Sequence, residues 1–193
     1  MRFKKGRRRF VFVFPSLGVT IKLPIVHLRK AIGLFVYFIV HLDLRQVYVN
    51  VVFPIDSEDI ATFKSLAFGG IVANWREFMF FLRTWNPLLQ PTYFSLLGLI
   101  NVQKASVLIL ARQDDFRTQL CELTQDEAYD DPHHFFNPDN YCLDGGARLR
   151  ILDYGSKRVR RVITKYGKKI SESFDPNYKW KPKEPAVAAQ NTQ

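Results

Sequence analysis

The chain has 193 residues, 47% hydrophobic and 24% charged, which excludes a wholly disordered protein and leaves room for one domain with its own core. Its 10 glycines and 10 prolines show no period, so a collagen-like chain is also excluded. Residues 1–60 contain 10 basic and 4 acidic side chains, residues 61–146 contain 6 and 10, and residues 147–193 contain 12 and 4. Positive charge concentrated at both ends predicts an anionic partner, either nucleic acid or an anionic membrane surface.

The sequence begins with a predicted basic arm, residues 1–9. Its cations are Arg2, Lys4, Lys5, Arg7, Arg8 and Arg9. The apolar run of residues 10–14 is too short, and too soon followed by Pro15, for a secretory leader. That run is β-branched and aromatic, and residues 19–23 alternate apolar and polar side chains. The two segments are therefore predicted to form a hairpin.

The next two apolar segments are also predicted to be strands. Residues 31–40 carry no charge and are too few to span a bilayer. Their β-branched and aromatic content favours a buried strand, with a helix as the alternative. Residues 47–51 alternate valine with polar side chains, which is typical of a half-buried strand.

Helices are predicted for most of the middle of the chain. Ser57, followed by Glu58 and Asp59, predicts a helix that ends at Gly69 and Gly70. Further predictions are helices at residues 74–85, 92–103 and 114–123, and a strand at residues 107–110. The segment 61–111 is sparsely charged, so it is expected to form the core or an apolar interface with other protein subunits.

Residues 124–146 are acidic and rich in turn-forming residues, which predicts a long loop. Residues 147–166 are predicted to form a second hairpin, and residues 171–193 a flexible tail. Cations are dense around this hairpin: Arg148, Arg150, Lys157, Arg158, Arg160, Arg161, Lys165, Lys168 and Lys169. A ribbon can present such side chains to phosphates, while Tyr154 and Tyr166 stack on unpaired bases. The alternative is a solvated edge strand whose charges prevent aggregation.

Metal and catalytic motifs are weak in this sequence. Cys121, His133, His134 and Cys142 are the metal candidates, but their spacing lacks the close ligand pairs that zinc sites use. The two cysteines predict reduced thiols rather than a disulfide framework. Neither glycine pair, at residues 69–70 or 145–146, has the spacing of a phosphate loop. No cofactor and no enzymatic activity are therefore expected.

These patterns predict an α+β fold in which antiparallel strands at both ends of the chain pack on a central helical block. One domain is expected at residues 10–170, between the arm and the tail. The predicted function is non-enzymatic binding of nucleic acid within a larger assembly, in an intracellular or virion location. The alternatives are a structural or scaffolding protein of a virion-like assembly and a peripheral membrane protein.

Overall fold

The computed structural model of the chain describes residues 1–6, 8–52, 62–105, 107–108, 113–146 and 148–179. A five-stranded antiparallel sheet lies in the N-terminal half, and a three-stranded sheet lies in the C-terminal half. Helices occupy the middle of the chain and its C-terminal part. The predicted α+β class is confirmed.

The larger sheet begins at the N-terminus. Its strands are β1 (Arg2–Lys5), β2 (Arg9–Phe14), β3 (Val19–Pro24), β4 (Thr92–Leu96) and β5 (Ile100–Lys104), in the order β1-β2-β3-β5-β4. The predicted hairpin of β2 and β3 is confirmed, with Phe12 opposite Ile21. The basic arm is a wrong prediction, because β1 pairs with β2 and brings the ring of Phe3 to 5.1 Å from that of Phe12. Most residues of the expected arm therefore belong to paired strands.

Three helices connect β3 to β4. They are α1 (Leu28–Val40), α2 (Leu44–Val52) and α3 (Phe63–Thr84). The strands predicted at residues 31–40 and 47–51 are therefore wrong. In α1 the apolar residues also recur with the helical period, which buries Ala31 completely and places Phe35 5.7 Å from Phe63 of α3. Before α2, the Asp43 side chain accepts a hydrogen bond from the Gln46 amide at 3.0 Å, an N-terminal cap that overrides strand propensity.

The predicted end of a helix at Gly69 and Gly70 is wrong, because α3 continues through both glycines. The helix is capped by Thr62 and Ser65, each side chain bonding the other's amide, while Ser57, Glu58 and Asp59 lie outside the described residues. A Cβ atom at Gly70 would lie 2.5 Å from the Arg8 carbonyl oxygen. Glycine therefore permits close contact between α3 and the backbone before β2. The helix predicted at residues 74–85 is confirmed as the second half of α3.

The helix predicted at residues 92–103 is wrong, since this segment is the hairpin of β4 and β5. Leu97 and Gly98 both adopt positive φ, 48° and 79°, and these values close the turn between the two strands. Ser95 pairs with Asn101 on one face of the hairpin, and Leu96 pairs with Ile100 on the other. The alternation of polar and apolar side chains was the strand signal here.

The C-terminal half contains the main hydrophobic core. Its elements are β6 (Val107–Leu108), α4 (Gln113–Thr124), α5 (Pro132–Phe135), β7 (Tyr141–Leu143), β8 (Leu149–Ile151) and α6 (Lys157–Ser173). The predicted helix at 114–123 is confirmed, as are the first two residues of the predicted strand at 107–110; residues 109 and 110 lie outside the described ones. The expected loop at 124–146 instead contains α5 and β7, because Phe135 and Tyr141 are completely buried.

The second predicted hairpin, at residues 147–166, is wrong. Only β8 is a strand, paired with β7, and Ser156 then caps α6 through a bond from the Val159 amide. The apolar residues of α6 recur at helical spacing and are buried: Val159, Val162, Ile163, Tyr166 and Ile170. The expected tail begins too early, since α6 runs to Ser173 and the next residue, Phe174, packs 5.7 Å from Phe116. Residues 180–193 lie outside the described ones.

The two faces of the larger sheet differ in polarity. The face towards α3 carries Thr20, Lys22 and Gln103, all buried. The opposite face carries Lys5 and Lys104 but is otherwise mostly apolar, with the side chains of Phe3, Phe10, Phe12, Phe14, Val19, Ile21, Leu23, Phe94, Leu96, Ile100 and Val102. Of the helices in the described part of the chain, none is long and apolar enough to cross a membrane.

The close contact at Gly70 predicts opposite effects of alanine at two helical glycines. Gly70→Ala should lower the free energy of unfolding by about 1–3 kcal/mol, because the added methyl group meets backbone atoms. Gly33→Ala in α1 is the matched control, with no atom within 4 Å of the new methyl group. It should raise stability by up to about 1 kcal/mol through helix propensity alone. Urea denaturation measures both, and equal effects would contradict the packing argument.

Candidate functional site

A cavity of about 560 Å³ lies between the polar face of the larger sheet, α3 and the segment that leads from α5 to α6. We call it the central cleft. The sheet contributes Val11, Val13 and Lys22 to its lining, and the C-terminal half contributes Asn140 and Asp153. Its size is in the usual range for a site that holds a small organic ligand, roughly 300–1,000 Å³.

An ion pair between β3 and α3 lies at the floor of the cleft. The Lys22 Nζ atom donates to Glu77 Oε2 at 2.9 Å and to the Leu152 carbonyl oxygen at 2.6 Å. Lys22 points inwards because the alternation along β3 directs Thr20 and Lys22 to the same face, whereas Glu77 lies one turn beyond Asn74 on the buried side of α3. Burial lowers the pKa of Lys22, although the charge of Glu77 opposes this shift.

Arg9, the first residue of β2, links this pair to the C-terminal half. Its Nη1 atom donates to Glu77 Oε1 at 2.6 Å, and its Nη2 atom lies 2.6 Å from Asp153 Oδ1. Only 11% of the Arg9 side chain is exposed, and Glu77 is completely buried. Burial alone would lower the pKa of Arg9, but the charges of Asp153 and Glu77 raise it above its ordinary value. Two cations, Arg9 and Lys22, thus balance two carboxylates; these four residues are the charge cluster.

Asp153 is followed by Tyr154 and Gly155, and all three are fixed against the sheet and α3. Burial raises the pKa of Asp153, but the charges of Arg9 and Lys22 outweigh it and hold the pKa well below its usual range. The Tyr154 hydroxyl donates to the Gln90 carbonyl oxygen at 2.9 Å and lies 2.7 Å from the Thr92 hydroxyl. A Cβ atom at Gly155 would lie 3.1 Å from the Ala73 carbonyl oxygen of α3. The carboxylate therefore has a fixed position in the cleft.

Asp131 organises the wall of the cleft opposite the sheet. Its two carboxylate oxygens bind His134 Nδ1 and the Ser156 hydroxyl, each at 2.8 Å. Burial would raise the pKa of Asp131, but the hydrogen bond from His134 and the bond from Ser156 lower it overall. The Asn140 Nδ2 atom donates to the His134 carbonyl oxygen at 3.0 Å. These contacts hold His134, Asn140 and Ser156 around the same opening.

Gln103 of β5, which lines the cleft, has a side-chain oxygen without a hydrogen-bond partner among the described residues. Its Nε2 atom donates to the Gln90 carbonyl oxygen at 3.3 Å, whereas no group in the described part of the chain hydrogen-bonds its buried Oε1 atom. Leaving such an acceptor unpaired costs about 1–3 kcal/mol.

The predicted nucleic-acid-binding residues do not form one surface. Arg9 belongs to the charge cluster, Arg8 lines the central cleft, and Arg7 lies outside the described residues. Two of the remaining predicted cations precede α6: Arg148 lies next to β8 and Arg150 lies within it. The others lie on α6, and they are Lys157, Arg158, Arg160, Arg161, Lys165, Lys168 and Lys169. The predicted β-ribbon is therefore replaced by a cationic helix.

Arg148 and Arg150 bind the same carboxylate, that of Asp144. Arg150 also donates to the Pro87 carbonyl oxygen. Burial acts to raise the pKa of Asp144, but the hydrogen bonds from Arg150 and from the Arg148 and Gly146 amides lower it to about 2. These two arginines stabilise the connection between β7 and β8.

The prediction that Tyr154 and Tyr166 stack on bases is wrong. Tyr154 is completely buried, and Tyr166 is 7% exposed, because its ring belongs to the apolar face of α6. Burial raises the pKa of Tyr154 well above its usual range. Both rings contribute to the hydrophobic core and are not accessible to a nucleobase.

The four metal candidates are not assembled into a site. Cys121 lies on α4, and Cys142 lies on β7 with its Sγ atom 3.8 Å from the Arg150 carbonyl oxygen. His134 binds Asp131, and the neighbouring His133 is exposed. Across the described ranges of the chain, no three His, Cys, Asp or Glu side chains are placed to hold a metal ion.

Lys22, Glu77 and Asp153 were not predicted as site residues. The sequence offered no clear signal, because Lys22 lies on the polar side of its alternating strand, and Glu77 lies outside the apolar stripe of its helix, which includes Trp75 and Phe78. The sequence 153–156 was interpreted only as a turn. Comparisons of the chain with protein-family models, curated proteins and solved structures gave no significant match.

The depressed pKa of Asp153 predicts a dependence of stability on pH. A carboxylate whose pKa is lower in the folded state stabilises the fold above its ordinary pKa of 3.8, and this contribution is lost as the pH falls towards the folded-state value. Stability should therefore fall between about pH 5 and pH 2, and Asp153→Asn should flatten this fall. Urea denaturation across that range measures the slope. Asp114→Asn, at an exposed position of α4, is the control and should keep the wild-type slope; the idea fails if both variants do so.

Proposed function

We propose that the central cleft binds the phosphates of a nucleotide such as ATP, in the manner of the ATP cleft of protein kinases. The observation that carries this proposal is the Lys22–Glu77 ion pair, at 2.9 Å, between the third strand and the helix that precedes the fourth. In protein kinases, a lysine of the third strand holds the α- and β-phosphates and pairs with a glutamate of the following helix.

Three short sequences support the same assignment. Residues 19–22 read Val-Thr-Ile-Lys, which agrees with the kinase motif Val-Ala-Ile-Lys at three of four positions. Residues 153–155 read Asp-Tyr-Gly, in place of the kinase Asp-Phe-Gly. Asn140 follows His133 by seven positions, the spacing between the histidine and asparagine of the kinase catalytic loop. Lys22, Asn140 and Asp153, which are far apart in sequence, line one cleft.

Two departures argue against phosphoryl transfer. The position of the kinase catalytic base, an aspartate two residues after the histidine, is Phe135, which is completely buried. The connection between β1 and β2 contains a single glycine, Gly6, where kinases have a glycine-rich loop over the phosphates. We therefore propose binding without catalysis. Apolar Val11, Val13 and Leu152 line the cleft and would provide surface for a nucleobase.

Lys22→Met should weaken ATP binding by about 10-fold or more, because it removes the cation that faces the phosphates. Binding is measured by isothermal titration with ATP, and circular dichroism shows whether the variant is folded. Lys104→Met is the matched control, an exposed lysine on the opposite face of the same sheet, and should bind as the wild type does. The proposal is wrong if the wild-type protein does not bind ATP, or if the folded Lys22→Met variant binds it equally well.

Nucleic-acid binding within a larger assembly is a second candidate function, supported by α6. This helix carries seven cationic side chains and one acidic side chain, and its buried face is apolar. Lys157, Arg161 and Lys168 follow one stripe of its exposed face, where they can neutralise successive phosphates. Lys165, beside this stripe, binds Glu127. An anionic membrane surface offers the same charge, so a peripheral membrane protein is the alternative for this helix.

The assembly part of this candidate is supported by exposed apolar side chains within residues 61–111. They are Phe68, Trp75, Leu82, Trp85, Tyr93, Phe94, Leu96, Leu97, Leu99 and Ile100. Monomeric soluble proteins rarely expose so many large apolar side chains together, so contacts with other protein subunits are proposed here. A structural or scaffolding role in a virion-like assembly would use the same surface, in an intracellular or virion location.

Replacing Lys157, Arg161 and Lys168 together by Gln should weaken binding to a single-stranded oligonucleotide. It should also reduce the slope of log affinity against log salt concentration by about 2, because three phosphate contacts are lost. Fluorescence anisotropy at several salt concentrations measures both quantities. The matched control replaces three exposed cations of α1 and α2, Arg29, Lys30 and Arg45. Equal effects of the two triple variants would show that α6 is not the interface.

A further inference from the structure

The structure places a guanidinium group where a nucleotide-binding site of this type holds a metal ion. In protein kinases, the aspartate of Asp-Phe-Gly binds Mg²⁺, which bridges the phosphates and neutralises their charge. Here the corresponding carboxylate, Asp153, is bound at 2.6 Å by Arg9 Nη2. The same guanidinium donates to Glu77 Oε1 at 2.6 Å and lies 3.4 Å from Asn74 Oδ1. Arg9 is therefore fixed from both sides of the cleft.

The backbone also fixes the position of Arg9. Its carbonyl oxygen accepts a hydrogen bond from the Gly6 amide at 2.8 Å, which closes the connection between β1 and β2. Arg9 is the first residue of β2 and lies opposite Pro24 of β3. The side chain enters the cleft from the first residue of an inner strand, so little conformational entropy remains to be lost when it contacts a ligand.

The residues around Asp153 do not fit a divalent cation. Two carboxylates of the charge cluster are already balanced by Arg9 and Lys22, and Asp153 Oδ1 is occupied by a charge-assisted hydrogen bond. In the absence of a nucleotide, a divalent ion at Asp153 would add two positive charges beside Arg9 and Lys22, whose charges Glu77 and Asp153 already balance. A guanidinium group, in contrast, has five N–H donors, more than Glu77, Asn74 and Asp153 take up together.

We infer that Arg9 replaces the divalent metal ion, so that the central cleft binds phosphate groups by direct contact with a guanidinium and without Mg²⁺. This inference rests on the proposed nucleotide site, which it deepens by assigning a metal-independent mode of binding. Arginine suits this role because its planar group is permanently charged and can bind a phosphate through two parallel hydrogen bonds.

The first experiment uses Mn²⁺ alone, without nucleotide, and detects bound ion by electron paramagnetic resonance. The wild-type protein should have no Mn²⁺ site that depends on Asp153. Arg9→Gln should gain one site, and the double variant Arg9→Gln/Asp153→Asn should lose it again. Arg83→Gln is the control, an exposed arginine at the end of α3, and should behave as the wild type. A wild-type Mn²⁺ site that Asp153→Asn abolishes would falsify the inference, as would a folded Arg9→Gln variant that gains no site.

The second experiment compares the dissociation constant of ATP in excess Mg²⁺ and in EDTA. The wild-type constants should agree within about threefold, whereas Arg9→Gln should bind ATP about 10-fold more tightly with Mg²⁺ than without it. A wild-type affinity that rises 10-fold or more with Mg²⁺ overturns the inference and leaves the nucleotide site intact. If the wild type binds no ATP in either buffer, the proposed nucleotide site fails and the phosphate-binding role of Arg9 fails with it.

A second variant, which keeps a positive charge at position 9, tests the inference if Arg9→Gln does not fold. Arg9→Lys retains one positive charge beside Asp153 and should exclude Mn²⁺ as the wild type does. If Arg9→Lys folds and binds Mn²⁺ at an Asp153-dependent site, charge at this position does not exclude metal, and the inference is wrong. The wild-type titrations decide the question even if neither variant folds.

Discussion

The charge cluster joins parts of the molecule that are far apart in the sequence. Arg9 and Lys22 come from the sheet, Glu77 from α3, and Asp153 from the segment before α6. Each charge is paired, so Arg9, Lys22 and Glu77 tolerate burial, whereas the Asp153 side chain is 31% exposed. Breaking the buried Lys22–Glu77 pair by removing one partner would leave an uncompensated charge at a cost of about 3–5 kcal/mol. The relative position of the larger sheet, α3 and the C-terminal segment therefore depends on these four side chains. The central cleft is the space between these three elements.

The cluster also accounts for the unusual polarity of the larger sheet. The face towards α3 and the cleft carries charged and amide side chains together with Val11 and Val13, whereas the aromatic side chains of β2 lie on the other face. Phe3, Phe94 and Leu96 of that face are 54%, 50% and 47% exposed. Because the sheet directs its more polar side inwards, it leaves an apolar surface outside, and this surface is the basis of the proposed contacts with other protein subunits.

Local patterns predicted the α+β class, the hairpin of β2 and β3, and the helices at α4 and the second half of α3. They were wrong where an apolar segment fits both the helical and the strand period and tertiary contacts determine which one forms. In α1 the β-branched residues favour a strand, but the helix buries Ala31. Cations at 147–169 were correctly identified as an unusual density, but α6 carries them on a helix. Lys22 and Glu77 are separated by 55 positions, so only the strand order and the course of α3 bring them together.

The differences between the proposed nucleotide site and a protein-kinase site all disfavour phosphoryl transfer. In comparison with a protein-kinase site, Phe135 stands at the position of the catalytic base, the connection between β1 and β2 contains one glycine, Gly6, and Arg9 binds the carboxylate of Asp153. Lys22, the proposed phosphate ligand, lies at hydrogen-bond distance from Glu77. Phosphoryl transfer depends on metal ions that neutralise developing charge, whereas ground-state binding needs only a cation of fixed position. If the central cleft is the nucleotide site proposed above, the Lys22–Glu77 pair together with Arg9 at Asp153 suits it to retaining a nucleotide rather than to consuming it.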